Sequence, residues 1–443
     1  MSDFPLIHHA RLDNAFAYRA GQAVSVGEFL QDVAQLARAL PAQSYMLNLC
    51  IDRYRFAVGF CAALLRKQTS LLPPNYTPSF VERLTQRYPD MYCLSDGEVE
   101  FKGVQVMTFP DLPAAESDAR AIPCIPEEQR AALVFTSGST GEPVAHPKFW
   151  GSLCRSAVAE AQGLGLTRDS GMALLGTVPA QHMYGLESSM LLAMQNGLTL
   201  VAERPFYPAD ICEQLAALPQ PRGLVTTPIH LRTLLSEVKE VPAVDFVLCA
   251  TALLAPQLAA EAEARLDAPL YEIYGCTEAG QVASRRTTQG ASWHLLSGVE
   301  MRQEGEACYV YGGHVEIEAQ LSDVIERHAD GTFTLHGRTA DLVNIAGKRT
   351  SLASLNHHLN EIPGVQDGVF FLPDERDGAM QRPLAFVVAP DLRGEQILAA
   401  LRNSVDAVFL PRPLYLVASL PRNSTGKLTR ESLTQLMAHC AKK

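Results

Sequence analysis

A short apolar run that ends in a loop of glycines and hydroxyls is the most constraining feature of this chain. Residues 131–135 are apolar and predict a buried strand, and the next six residues are Thr136, Ser137, Gly138, Ser139, Thr140 and Gly141. Glycine permits the positive φ values that such a loop needs and lets backbone N–H groups approach an anion closely. The loop is not a Walker A motif, because no Gly-Lys-Ser/Thr follows at the required spacing. Taken alone, the pattern fits either a phosphate site at the end of a strand or a solvated Ser/Gly turn.

Short apolar strands alternate with helical segments from residue 25 to residue 275, which indicates α/β layers with largely parallel sheets. Ser25 and Glu28 form a predicted capping box that opens the first helix. After Gly298 the pattern changes to short strands and turns, and a final unit of about a hundred residues begins near Gly337. We therefore expect a large N-terminal domain (1–336), a hinge (337–341) and a small, mobile α+β C-terminal domain (342–443).

Three further motifs follow the loop in a fixed order. They are Tyr274-Gly275-Cys276-Thr277-Glu278, then Ser322-Asp323 with Gly337-Arg338, and finally the run from Leu420 to Lys427 (LPRNSTGK). Together with the loop at 136–141, they resemble the signature motifs of the adenylate-forming superfamily. That superfamily comprises acyl-CoA and aryl-CoA synthetases, peptide-synthetase adenylation domains and luciferases. The resemblance extends over residues 25 to 430, and it implies an enzyme that activates a carboxylic acid with ATP and Mg²⁺.

The resemblance assigns each motif a role in making an acyl adenylate. The 136–141 loop would hold the β- and γ-phosphates, Thr277 would donate to the α-phosphate, and Glu278 would bind Mg²⁺ through hard oxygen. Asp323 would accept both ribose hydroxyls. Lys427 would supply the cation that meets the α-phosphate and the carboxylate. The remaining nucleotide contacts would come from Ala250, Thr251, Ala252, Tyr274, Gly275 and Arg338.

Two further groups of residues would contact the acid and the thiol. The acyl pocket would be formed by His182, Thr227, His230 and Gly275. The pantetheine side would be formed by Gly347, which leaves room for a narrow thiol arm, and Arg349, which would contact a phosphate of the acceptor.

Two positions depart from the family pattern. Relatives carry a lysine shortly after the phosphate loop, whereas this chain has Val144, and Lys148 stands four residues on. Lys148 would replace that charge from a different angle, or the loop would lack it. Relatives also place Asp or Lys two residues after Gly-Arg, and here that position is Ala340, followed by Asp341.

The residues favour an aryl or small apolar acid over an amino acid. Amino-acid-activating relatives use an aspartate near the His182 segment, and residues 178–189 contain none. The stretch from Gly141 to Gly151 is similar to the ligases of aryl-polyene clusters, which implies loading of a hydroxybenzoate-type acid onto an acyl carrier protein. Two alternatives stay open: an acyl-CoA or aryl-CoA synthetase that uses free CoA, and a non-catalytic binding module on the same fold.

Charge and composition limit the partners. The formal net charge is −11, which argues against general nucleic-acid binding. From Gly337 onward the chain carries 13 Lys/Arg and 10 Asp/Glu, so this segment is mildly basic on an acidic body and would suit an acidic carrier protein. No apolar run is long enough to cross a bilayer, the N-terminus lacks signal-peptide features, and the ten cysteines have no Cys-x-x-Cys spacing. We expect a cytoplasmic enzyme with reduced thiols and no membrane insertion.

Overall fold

A computed structural model describes residues 2–113, 121–137, 143–252, 254–338, 342–345, 348–373, 382–423 and 426–441. Its strands are, in chain order, β1 (Asp3–Pro5), β2 (Ala15–Arg19), β3 (Gln22–Ser25), β4 (Tyr45–Asn48), β5 (Thr69–Leu72), β6 (Met91–Ser95), β7 (Gln105–Thr108), β8 (Cys124–Pro126), β9 (Arg130–Ser137), β10 (Pro143–Phe149), β11 (Ala173–Gly176), β12 (Thr199–Val201), β13 (Arg222–Thr226), β14 (Phe246–Cys249), β15 (Leu270–Cys276), β16 (Gly280–Arg285), β17 (His294–Leu295), β18 (Glu300–Glu304), β19 (Ala307–Gly312), β20 (Val315–Leu321), β21 (Asp323–Arg327), β22 (Phe333–Arg338), β23 (Leu342–Ile345), β24 (Lys348–Ser351), β25 (Asp367–Phe371), β26 (Leu384–Val388) and β27 (Leu414–Leu416).

The helices are α1 (Val26–Ala39), α2 (Arg53–Leu65), α3 (Pro78–Arg87), α4 (Trp150–Gly163), α5 (Met183–Gly185), α6 (Leu192–Asn196), α7 (Pro208–Ala217), α8 (Pro228–Glu237), α9 (Pro256–Leu266), α10 (Leu352–Asn360), α11 (Gly394–Leu401) and α12 (Arg430–Cys440). A π-helix (Leu186–Leu191) joins α5 to α6. The predicted capping box is present at α1, where Ser25 Oγ accepts from the Glu28 N–H and the Glu28 carboxylate accepts from the Ser25 N–H. None of the described helices is long and apolar enough to cross a membrane.

Two large sheets form the N-terminal part. The nine-stranded sheet has the order β17-β16-β15-β14-β13-β11-β12-β2-β3, with parallel pairing from β15 to β2 and antiparallel strands at both edges. The six-stranded sheet has the order β10-β9-β5-β4-β6-β7 and is parallel except for the β10–β9 pair. Helix α2 contacts β4, β5 and β12 and therefore lies between the sheets, where its apolar side chains are buried. This confirms the predicted α/β class.

A buried arginine anchors helix α2 to the end of the nine-stranded sheet. The Arg53 guanidinium donates to four backbone carbonyls, those of Gly176, Val178, Val201 and Glu203, at 2.8–3.0 Å. A fully buried guanidinium needs such acceptors to offset the loss of water. The arrangement fixes the backbone after β11, from which the His182 segment departs.

The chain after residue 298 forms smaller sheets, as predicted. Strands β18, β19 and β20 form one antiparallel sheet, and β21 and β22 form a hairpin. The C-terminal unit contains the β25-β26-β27 sheet with α10, α11 and α12, and it has apolar clusters of its own around Phe370 and Phe386. Helix α11 ends at Leu401, and a short 3₁₀ helix (Ala407–Phe409) follows. Residues 339–341 lie outside the described residues, so the hinge stays a prediction.

Candidate adenylation site

The predicted nucleotide and acid residues follow neighbouring parallel strands of one sheet. The His182 segment follows β11, Thr227 follows β13, Ala250 follows β14, and Gly275 lies near the end of β15. Because β11, β13, β14 and β15 are adjacent and parallel, their carboxyl ends meet at one edge of the sheet. Segments that are distant in the sequence are thereby brought to one site.

The predicted adenine and ribose residues are in direct contact. The Tyr274 hydroxyl donates to Oδ2 of Asp323 at 2.6 Å, and the Tyr274 ring packs against Trp293 and Phe333. In the β21–β22 hairpin, Arg338 is the register partner of Asp323. The tyrosine therefore holds one carboxylate oxygen of Asp323 at the site where a ribose is expected.

The turn after β14 has an uncommon backbone conformation. Thr251 adopts φ of +83°, a left-handed conformation that β-branched residues rarely occupy. Ala250 before it is buried. Strain of this kind costs on the order of 1–3 kcal/mol and is found where the surrounding fold imposes it, frequently at binding sites.

The phosphate loop is described only at its start. Strand β9 carries the loop into the site, and Oγ1 of Thr136 lies 3.0 Å from Nε2 of His146 on the adjacent β10. Ser137 ends β9, and Gly138, Ser139, Thr140 and Gly141 lie outside the described residues. The predicted Mg²⁺ ligand is close by, since Oε1 of Glu278 is 4.0 Å from the same His146 nitrogen.

Lys148, the candidate substitute for the missing loop lysine, is hydrogen-bonded to the backbone of Glu278. Val144 is 47% exposed on β10, whereas Lys148 is only 6% exposed, and its Nζ donates to the backbone carbonyl of Glu278 at 2.9 Å. Lys148 thus fixes the backbone of the predicted metal ligand. Thr277 is half-buried beside it. A Cβ added at Gly275 would lie 2.3 Å from the Gly280 carbonyl, so only glycine fits there.

The loop that carries Lys427 is docked against the acid-pocket residues. Gly426 has φ of +76°, and a Cβ there would lie 2.6 Å from Ile229 and 3.5 Å from Oγ1 of Thr227. The Lys427 N–H donates to Oδ1 of Asn423 at 2.8 Å. Burial, and secondarily the charge of Lys427, lowers the pKa of His182 to about 4. The imidazole of His182 is therefore neutral at pH 7.

The two other predicted pocket residues also meet here. Oγ1 of Thr227 lies 2.8 Å from Nδ1 of His230, and both side chains are buried. Burial, with a smaller effect of Arg204, lowers the pKa of His230. Of the predicted pantetheine residues, Gly347 lies outside the described residues, and Arg349 lies on β24 opposite Asn344.

An arginine of the C-terminal unit fixes the Lys427 loop. Arg422 makes two hydrogen bonds of 2.8 Å to the Asp367 carboxylate and one of 2.7 Å to the Gly426 carbonyl. Arg232 on α8 lies 3.9 Å from the same carboxylate and donates to the Gln366 carbonyl. Arg422 is therefore engaged by groups within the protein.

Sequence reasoning missed a buried polar cluster beneath Glu278. Glu187 is 3% exposed, accepts from Ser156 Oγ at 3.0 Å, and burial raises its pKa to about 7, with Lys148 acting in the opposite direction. Glu160 is fully buried, and burial raises its pKa to about 8, although Ser188 and Gln281 approach it. The signal in the sequence was a single carboxylate in each of two helical segments, Trp150–Gly163 and Leu186–Leu191. Among the residues that the structure describes, no group of three or more His, Cys, Asp or Glu side chains is arranged to hold a metal.

Comparison with known proteins assigns the family. The AMP-binding enzyme family matches residues 82–306, about half of the chain, and the chain belongs to this family within the adenylate-forming superfamily. It is similar to a 2-succinylbenzoate–CoA ligase of Staphylococcus epidermidis (24% identity, covering 76% of each chain) and to a 4-coumarate–CoA ligase of Halorhodospira halophila (27%, covering 76% of this chain and 83% of the relative).

Solved structures agree with that assignment at the level of the fold. The o-succinylbenzoate CoA synthetase of Bacillus subtilis, in complex with its acyl-adenylate intermediate, superposes with a TM-score of 0.82 at 20% identity and covers 98% of each chain. By class, the chain is an AMP-forming acid–thiol ligase, which activates an acid with ATP and then forms a thioester.

Proposed function

We propose that this enzyme adenylates an aryl, hydroxybenzoate-like acid or a small apolar acid and passes the acyl group to the phosphopantetheine thiol of an acyl carrier protein. The observation that carries the site assignment is the position of the Lys427 loop, in which Gly426 lies against Ile229 and Thr227. That position brings a cation to the place where the acid carboxylate would meet the α-phosphate.

The residues fit the charge changes of the two steps. In the first step, a carboxylate oxygen forms a bond to the α-phosphorus while the bond to pyrophosphate breaks, so negative charge must be neutralised. We assign this to Lys427, Thr277 and the N–H groups of the 136–141 loop. In the second step, the sulfur attacks the acyl carbon, its proton is released to the medium, and AMP leaves.

The chemistry of Glu278 fits Mg²⁺. Its carboxylate is a hard oxygen ligand with 47% of the side chain exposed, and Mg²⁺ is usually held by one or two carboxylates together with substrate phosphates and water. When bound, the ion would neutralise phosphate charge. The contribution of the protein is to hold Glu278 through the Lys148 hydrogen bond.

The small C-terminal unit (342–443) and its hinge (337–341) are proposed to swing between an adenylating and a thioester-forming arrangement. The described contacts are consistent with the first, because the Lys427 loop faces the acid pocket. Gly347 and Arg349 would then face the thiol in the second.

Two thiol acceptors are candidates for the second step. Free CoA is the second candidate, because the relatives described above are named as CoA ligases. An acidic carrier would be attracted by exposed basic side chains such as Arg412, with a salt-dependent encounter rate.

A direct comparison of acceptors tests this. Holo carrier protein and CoA are offered at equal concentration with ATP and a benzoate, and acyl transfer is followed at low and high salt. We expect faster transfer to the carrier, slowed by salt and by Arg412→Glu, with pyrophosphate release unchanged. Arg38→Glu, an equal charge change on α1, is the control. Faster, salt-insensitive transfer to CoA would establish the CoA ligase instead.

A further inference from the structure

One face of helix α8 carries residues that contact the C-terminal unit. Ile229 and Arg232 are three residues apart and therefore lie on the same side of the helix. Ile229 is the residue against which Gly426 lies, in the loop that carries Lys427. The same helix is capped at its start by Thr227, a residue of the proposed acid pocket. The docking face and the acid pocket thus belong to one element.

Arg232 bridges the two parts of the chain. Its Nη1 donates to the Gln366 carbonyl at 2.6 Å and to Oδ1 of Asn360 at 3.3 Å, and it lies 3.9 Å from the Asp367 carboxylate. Both hydrogen bonds cross from α8 to the C-terminal unit. The Arg232 side chain is 28% exposed, and a guanidinium that has given up most of its water needs such acceptors.

The carboxylate that faces Arg232 is connected to the Lys427 loop. Asp367 starts β25, and Arg422 joins its carboxylate to the Gly426 carbonyl through hydrogen bonds of 2.7–2.8 Å. These contacts lie within the C-terminal unit and do not depend on Arg232. If this unit carries Lys427 away from the site, it also carries Asp367 away from Arg232.

A second contact between the two parts lies on helix α9. Nε2 of Gln257, an exposed residue, donates to Oε1 of Glu361 at 2.6 Å. Glu361 is also 3.5 Å from Nε2 of His357 in its own unit. Interfaces between domains that are made by polar side chains permit relative motion, so these contacts suit a unit that docks and leaves.

We propose that Arg232 is a positioning residue that holds the C-terminal unit in the adenylating arrangement, with Gln257 as a second contact. Because its acceptors leave together with Lys427, Arg232 stabilises the arrangement of the first step and not that of the second. Loss of Arg232 therefore shifts the population of the enzyme away from the adenylating arrangement. This inference rests on the proposed function, since it requires both arrangements.

The test compares the two half-reactions. Benzoate, 4-hydroxybenzoate, 4-hydroxycinnamate and hexanoate are each offered with ATP and without a thiol, and the acid that forms its adenylate fastest is used throughout. Thioester formation is then followed from the chemically made adenylate of that acid, with holo carrier protein and with CoA. The quantity compared is the rate of adenylation divided by the rate of thioester formation.

We expect Arg232→Met to lower this ratio by about tenfold or more, because hydrogen bonds from a charged donor are lost in one arrangement only. Gln257→Glu, which places a second carboxylate beside Glu361, should also lower it. Gln257→Lys, which can pair with that carboxylate, should keep the ratio at or above the wild-type value. Arg38→Met, at an exposed arginine on α1, is the control. A merely structural role would slow both half-reactions together.

Three results would overturn the inference. They are an unchanged ratio in Arg232→Met, an equal loss of both half-reactions in an Arg232→Met protein that melts like the wild type, or a ratio that falls as far in Gln257→Lys as in Gln257→Glu. If the methionine variant does not fold, the two Gln257 variants decide. A wild-type enzyme that forms neither adenylate from these acids nor thioester from their adenylates would refute the proposed function itself.

Discussion

Removing the ammonium group of Lys148 tests whether its hydrogen bond holds the backbone of Glu278 in place. Lys148→Met keeps most of the apolar stem and removes the 2.9 Å hydrogen bond to the Glu278 carbonyl. A buried hydrogen bond with a charged partner contributes about 1.5–3 kcal/mol, which corresponds to roughly 10- to 150-fold in an equilibrium constant. Glu187 also loses its nearby cation, so its pKa, already about 7 because of burial, rises further.

We expect the Mg²⁺ concentration for half-maximal pyrophosphate release to rise about tenfold or more, because the backbone of Glu278, the proposed metal ligand, is no longer held by this hydrogen bond. Urea unfolding should show a stability loss of roughly 1.5–3 kcal/mol. Lys102→Met, at an exposed lysine, is the matched control. A raised KM for ATP with normal Mg²⁺ dependence would mean that Lys148 contacts phosphate after all. Unchanged values of both would refute its positioning role.

Four further outcomes follow from described contacts. Lys427→Ala should reduce adenylate formation by several orders of magnitude while thioester formation from pre-made adenylate largely persists, and equal loss of both steps would contradict the assignment. Asp323→Ala should weaken ATP by about 2–4 kcal/mol, measured as the KM for ATP, through loss of a charged acceptor. Thr251→Gly should be more stable than Thr251→Ala by about 1 kcal/mol in urea unfolding, because only glycine relieves the positive φ. Burial raises the pKa of Glu160 to about 8, so the stability that this group contributes is fully present below its ordinary pKa of 4.5 and is lost as the pH rises to about 8. Glu160→Gln should flatten this part of the pH dependence of urea unfolding, whose slope is at most about 1.4 kcal/mol per pH unit.

The fold was predictable because local signals agreed along the chain. The capping box at Ser25 specified where α1 begins, and apolar runs before residues 136 and 275 specified strands whose ends carry the motifs. Parallel pairing places such strand ends at one edge of the sheet, so the alternation of strands and helices also predicted that the proposed nucleotide-binding residues lie together.

The polar cluster could not be predicted, because its contacts join distant segments. Alternation along β10 places Val144, His146 and Lys148 on one face, yet of these three only Lys148 is hydrogen-bonded to the Glu278 turn and almost fully buried there. The contact between Lys148 and Glu278 spans 130 residues. The pairing of Arg422 with Asp367 was missed for the same reason. The roles of the phosphate loop, the hinge and Arg349 stay predictions.

The docking of Gly426 sets how near Lys427 stands to its target. An added methyl group would meet Ile229 at 2.6 Å, whereas apolar carbons normally approach to about 3.5–4.0 Å. Any side chain at this position would therefore displace the loop by roughly 1 Å, and an error of that size in a catalytic group is worth about a hundredfold in rate. Because residue 426 has no side chain, the loop can lie close to Ile229. The distance between Lys427 and the site therefore depends on the glycine that precedes it.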